Sequence, residues 1–150
     1  INTAAVETPE LVEKAAAHYG RQCIVVSIDA RKTSEGYEVF IKNASKSTGL
    51  NPVTWAQTAE SLGAGEILIN AIDRDGTMEG YDLTLIRMIT DSVDIPVIAA
   101  GGAGKLGDFP PAILKGHANA VAAASIYHYT KITPNMVKKS LQAEGIPVRL

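Results

Sequence analysis

The chain has 150 residues, 46% of them hydrophobic and 20% charged, and a net charge of −2. That suits one soluble globular domain with a real core, and it leaves no basic footprint for nucleic acid. No apolar run approaches the ~20 residues of a membrane helix. The opening INTAAVETPE lacks the basic and apolar regions of a signal peptide. The single cysteine, Cys23, sits in an apolar run and reads as a small core residue. Together these features fit the reducing cytoplasm.

Ile1–Val6 reads as the tail of a strand. Thr8-Pro9-Glu10 then opens a helix with a cap, a proline and an acid in its first turn. Its apolar stripe runs through Leu11, Val12, Ala15, Ala16 and Tyr19 to Gly20. CIVVSI (Cys23–Ile28) is apolar enough for a strand covered on both faces, and it ends on Asp29. The polar Arg31–Leu50 segment contains a hairpin signal around Ser34-Glu35-Gly36 and Tyr37–Ile41. Asn51-Pro52 starts a helix that stops at Gly63. EILINAI (Glu66–Ile72) is the next strand, ending on Asp73, and Asp82 caps the helix after it.

PVIAAGGAGK (Pro96–Lys105) is a short strand running into a glycine turn, Gly101-Gly102-Ala103-Gly104. Asp108 is placed to cap the next helix, and AVAAAS (Ala120–Ser125) is the last strand. Thr133-Pro134 starts the final helix. Strand and helix alternating in this way means βαβ units and a parallel α/β sheet in one domain, residues 1–150. VSIDARK and NAIDRDG share an Ile-Asp ending, which suggests a duplicated βα unit. A small open doubly wound sheet and part of a closed barrel both remain open.

Chemistry concentrates at strand ends. Backbone amides after two neighbouring parallel strands, with the Ser125 hydroxyl, would form a phosphate cup. Asp29 ends an apolar strand, where a carboxylate is positioned for general acid–base work; a helix cap or a salt bridge to Arg31 or Lys32 is an equal alternative. Asp73-Arg74-Asp75-Gly76-Thr77 is a common kind of turn, but its place beside the glycine cup favours ligand contact. Asn2 and Thr3 offer an amide and a hydroxyl in the same layer. Three scattered histidines and one cysteine give no metal-ligand spacing, and no nucleotide-binding fingerprint occurs, so no metal or cofactor is expected.

INTAAVETP, QCIVVSIDA, GAGEILINAIDRDGTMEGYD, PVIAAGGAGK and AVAAASIYH together resemble the C-terminal half of the cyclase subunit of imidazole glycerol phosphate synthase, from histidine biosynthesis. The resemblance implies a (β/α)8 TIM barrel, this chain covering strands five to eight and the tail of strand four. It implies a bisphosphorylated substrate, a phosphoribulosyl formimino carboxamide ribotide. Ammonia would come from a glutaminase subunit docked on the opposite face. The products would be imidazole glycerol phosphate and an aminoimidazole carboxamide ribotide. Asp29 matches the second of two family catalytic aspartates. Asp75, Gly76, Gly101, Gly102, Ala124 and Ser125 match one phosphate site, and Asn2 and Thr3 part of the other. Glu66 matches a charged position at the ammonia entrance. The first aspartate lies outside the chain, so the chain alone is expected to be inactive and to self-associate or pair with an N-terminal half-barrel. A paralogous amidotransferase component of a surface-sugar pathway and a non-catalytic phosphate-binding half-barrel are the alternatives.

Overall fold

Strand and helix alternate in the order the pattern predicts. The computed structural model describes residues 1–149. Helices α1 (Thr3–Glu7) and α2 (Glu10–Tyr19) lead into strand β1 (Val25–Thr33), which turns back through β2 (Gly36–Ile41) and β3 (Lys46–Ser47). Then come α3 (Pro52–Ser61), β4 (Glu66–Ala71), α4 (Leu83–Thr90), β5 (Val97–Ala100), α5 (Phe109–Leu114), β6 (Ala120–Val121), α6 (Ser125–Tyr129) and α7 (Pro134–Ala143).

Three helix starts follow their local chemistry. The Asn51 side chain accepts from the amides of Val53 and Thr54 at 2.9 and 3.3 Å, with Pro52 opening α3. Asp82 accepts from the Leu85 amide at 3.0 Å, and Thr133 from the Met136 amide at 3.4 Å. Each satisfies an amide that has no partner inside its helix. Asp108 behaves differently. Its carboxylate reaches back to the amides of Gly104 and Lys105 at 2.9 and 3.0 Å and makes no cap bond to α5. It fastens the glycine turn instead of the helix.

The sheet order is β3-β2-β1-β4-β5-β6, with β1, β4, β5 and β6 parallel and the β1–β2–β3 hairpin antiparallel at one edge. Burial alternates along β1 as far as Ala30 and along β4 and β5. Val26, Ile28 and Ala30, Ile67, Ile69 and Ala71, and Val97 and Ala99 are buried, packed with Trp55, Ala56 and Ala59 of α3, Leu85, Ile86 and Ile89 of α4, and Phe109 and Ala112 of α5. Val25, Ser27, Asp29, Glu66, Leu68, Asn70, Ile98 and Ala100 point to the other face and are only partly covered. Parallel strands in chain order, with their helices on one face, wind in one direction. A doubly wound sheet would reverse its strand order and cover both faces. The architecture is therefore an arc of a (β/α)8 barrel, and the expectation of strands covered on both faces does not hold within the described residues.

Other expectations are corrected. Of the supposed strand Ile1–Val6, only Ile1 joins the sheet: its amine donates to the Val25 carbonyl at 2.7 Å and its carbonyl accepts from the Ser27 amide at 2.8 Å. The next positions on that edge of β1 pair with β2, from Asp29↔Phe40 onward, so the chain leaves as α1. For the same reason Asp29 does not end its strand; β1 runs on to Thr33 in the hairpin. Cys23 is exposed at the end of a 3-10 turn, Arg21–Cys23, and is not a core residue. The α2 stripe buries Val12 but leaves Leu11 and Tyr19 exposed. The last strand stops at Val121, and Ser125 opens α6.

Candidate functional site

The site is built where β1, β4, β5 and β6 deliver their C-terminal ends to the partly covered face. Register sets Asp29 beside Asn70, and Asn70 beside Ala100. Even spacing along each strand puts these side chains on the same face as Ser27, Leu68 and Ile98. A cleft of about 230 Å³ opens there, lined by Leu68, Asn70, Asp75, Ala100, Gly101 and Ala122–Ala124. A larger cleft of about 340 Å³ lies between α5, β6 and α7, but Phe109, Ile113, Val121, Val137 and Leu141 make its walls mostly apolar, and no Asp or Glu among the described residues lines it. The smaller cleft is the one with chemistry.

Asp29 is held from two sides. Asn2 Nδ2 donates to its Oδ2 at 3.2 Å, and Asn70 Nδ2 donates to its Oδ1 at 3.1 Å. A carboxylate accepts and does not donate, so both amides must present their NH2 groups to it. Thr3 and Asn2 form the outer end of this array. The Lys42 amide donates to Thr3 Oγ1 at 2.9 Å, and the Thr3 hydroxyl donates to Asn2 Oδ1 at 3.3 Å. Arg31 does not pair with Asp29; its guanidinium stacks over the Phe40 ring, 4.5 Å from the centroid.

The glycine turn is shaped first by its own neighbours. The Gly80 amide donates to the Gly102 carbonyl at 2.7 Å. A Cβ on Gly102, which sits at φ +107°, would run into the Gly80 carbonyl oxygen, and one on Gly104 into that of Met78. The loop after β4 therefore presses directly on the loop after β5, and this contact requires glycine whether or not a ligand comes near. Among the described residues, the amides of Gly102 and Ser125 have no protein acceptor. Asp75 and Ala124 line the cleft directly; Gly76 lies in the exposed turn beside Asp75. Gly102 is buried under Gly80, and Ser125 is half-buried at the start of α6.

Tyrosines brace the rim. Tyr37 of β2 donates to Asp82 Oδ2 at 2.8 Å, tying the hairpin to the cap of α4. Burial, then the bond to the Asp82 carboxylate, pushes the Tyr37 phenol well above its ordinary range. Tyr81 donates to the Ala122 carbonyl at 2.8 Å, and burial raises its phenol likewise.

Two comparisons bear on this arrangement. The family model described as "Histidine biosynthesis protein" matches residues 1–133. The chain belongs to that family. It is also similar to the imidazole glycerol phosphate synthase subunit HisF of Streptomyces avermitilis, 51% identical over 99% of this chain and 59% of the relative. The chain thus spans about 59% of the length of the curated relative it matches. Membership accords with the one-sided winding of the sheet and with polar side chains gathered at the C-terminal ends of its strands, where barrels of this type place their sites.

The family member's sheet brings together Asn2, Thr3, Asp29, Asp75, Gly101 and Ala124, all singled out from sequence. It sets Glu66 apart: Glu66 pairs with Val25 at the opposite end of the strands, four residues and so about 13 Å from the Asn70 level. Asn70 escaped sequence reasoning. It lies inside the apolar run EILINAI, and the shared Ile-Asp ending drew attention to Asp73. Structurally Asp29 is level with Asn70, so the apparent sequence repeat is offset by three residues from the register, and Asp73 is exposed in the following turn. The signal that could have found Asn70 is period-two alternation: Glu66, Leu68 and Asn70 share one face.

Proposed function

We propose that this chain supplies the C-terminal half of an ammonia-dependent cyclase/lyase of histidine biosynthesis. The observation that carries the reading is the Asp29 carboxylate, held by two amides, one of which, Asn70, lines a cleft that also takes in Gly101 of the glycine turn. A phosphorylated end of the substrate would rest against the amides of Gly102 and Ser125, beside Gly101, Gly76, Asp75 and Ala124. Its other phosphate would approach the side of Asn2 and Thr3. Asp29 would then exchange a proton with the ribulosyl formimino carboxamide portion as ammonia adds and the imidazole ring closes, releasing imidazole glycerol phosphate and an aminoimidazole carboxamide ribotide. Ammonia would enter past Glu66 from a glutaminase subunit at the opposite end of the strands. We place the enzyme in the cytoplasm; among the described residues no helix is long and apolar enough to cross a membrane.

The test is reconstitution. The chain is co-expressed with a family N-terminal half, which supplies the first aspartate, and assayed with ammonium salt. Turnover should appear, and Asp29→Asn should lower kcat by about 10²–10⁴, the usual worth of a general acid or base. Near-normal kcat in Asp29→Asn would reduce the residue to a structural role.

A further inference from the structure

Asn70 faces two parts of the site at once. Its Nδ2 donates to Asp29 Oδ1 at 3.1 Å, while its Oδ1 lies against Gly101, only 2.7 Å from where a Cβ on that residue would stand. The Ala71 carbonyl oxygen would be 2.6 Å from the same atom. Gly101 is buried at φ +87°, and no side chain fits there without displacing either the β4 backbone or the Asn70 amide. The side chain of Asn70 is thus wedged between the carboxylate and the first glycine of the cup.

We propose that Asn70 is a positioning residue for Asp29, and that Gly101 is glycine in order to leave Asn70 the room to do this. The inference rests on Asp29 being the acid–base group. An isolated Asp side chain rotates about two bonds and can turn its oxygens away from a bound substrate. One amide donor on each oxygen restrains that rotation and leaves each oxygen a second lone pair able to accept. Asn2 is itself held by the Thr3 hydroxyl, and the space Asn70 occupies is left open by the absence of a side chain at Gly101. Preorganisation of this kind acts on the chemical step and leaves substrate binding through the phosphates untouched.

In the reconstituted barrel with ammonium salt, Asn70→Leu keeps the approximate volume and removes the donor. It should lower kcat about 10- to 100-fold, the worth of one hydrogen bond to a charged group, with KM changed less than threefold. In the Asp29→Asn background, Asn70→Leu should cost nothing further. A full, additive loss in that background would overturn the positioning role while leaving Asp29 as acid–base group. No effect of Asp29→Asn itself would instead remove the underlying reading. A readout without turnover uses the chain as it stands: the Asn70 side-chain amide resonance in an ¹⁵N spectrum should move upfield in Asp29→Ala and stay in place in Asp73→Asn. An Asn70 resonance indifferent to Asp29→Ala would overturn the clamp even if no activity can be reconstituted.

Discussion

Alanine at Gly102 separates two reasons for a glycine in the cup. The residue sits at φ +107°, and an added Cβ would overlap the Gly80 carbonyl oxygen and approach Arg74 Cβ at 3.1 Å. The left-handed backbone costs an L-residue roughly 1–2 kcal/mol, and forcing a methyl into a filled space roughly 1–3 kcal/mol more. The sum, about 2–5 kcal/mol, is a large part of the 5–15 kcal/mol that ordinarily holds a domain together. Gly76 is the control: it has φ +80° with nothing within 4 Å of its virtual Cβ, so only the backbone term applies, about 1–2 kcal/mol. Urea unfolding can be followed through Trp55, the single tryptophan, which is buried. With a slope of about 2 kcal/mol per molar urea, the midpoint should fall by roughly 1–2.5 M in Gly102→Ala and by no more than about 1 M in Gly76→Ala. Equal shifts in the two variants would show that the loop-on-loop contact does not constrain Gly102, and the packing argument would fail.

Four further outcomes are expected. Inorganic sulfate or phosphate should raise the urea midpoint through binding at the Gly102 and Ser125 amides, and crystals soaked in sulfate should show the anion there; density only elsewhere would remove the cup. Glu66→Ala should impair glutamine-dependent turnover of the reconstituted complex more than ammonium-dependent turnover, whereas equal losses would speak against an ammonia entrance. Leu68 and Ile98 lie on a face with no covering layer among the described residues, so sedimentation at low micromolar concentration should show association, and a well-behaved monomer would contradict it. Finally, the phenols of Tyr37 and Tyr81 are raised in the folded state. They favour folding fully below the ordinary tyrosine range, and that contribution is lost as pH rises past about 10, where the unfolded chain gives up its protons first. Stability should therefore fall above that pH, less steeply in Tyr37→Phe; an unchanged slope would mean that the Tyr37–Asp82 bond is not maintained.

Much of the site was written locally. Asn51, Asp82 and Thr133 announce helix starts because a short polar side chain before a helix satisfies amides only two or three residues away. The glycine turn after Val97–Ala100, the Asp75-Gly76 turn and the hairpin at Ser34-Glu35 are short-range patterns of the same kind. Asp29 could be named because a charge in an apolar strand is visible without neighbours. What the sequence could not decide depended on pairing between strands far apart in the chain. Winding direction separated a barrel arc from a doubly wound sheet, and that is a property of strand order. Register placed Asp29 opposite Asn70 and not Asp73, because level in a sheet is set by hydrogen bonding between strands and not by matching motifs. Asp108 accepts from the amides of Gly104 and Lys105 in the glycine turn and makes no cap bond to its own helix. Ile1 alone reached the sheet because β2 had already filled the rest of that edge. In each case a local preference was outbid by a partner that only the folded chain brings within reach.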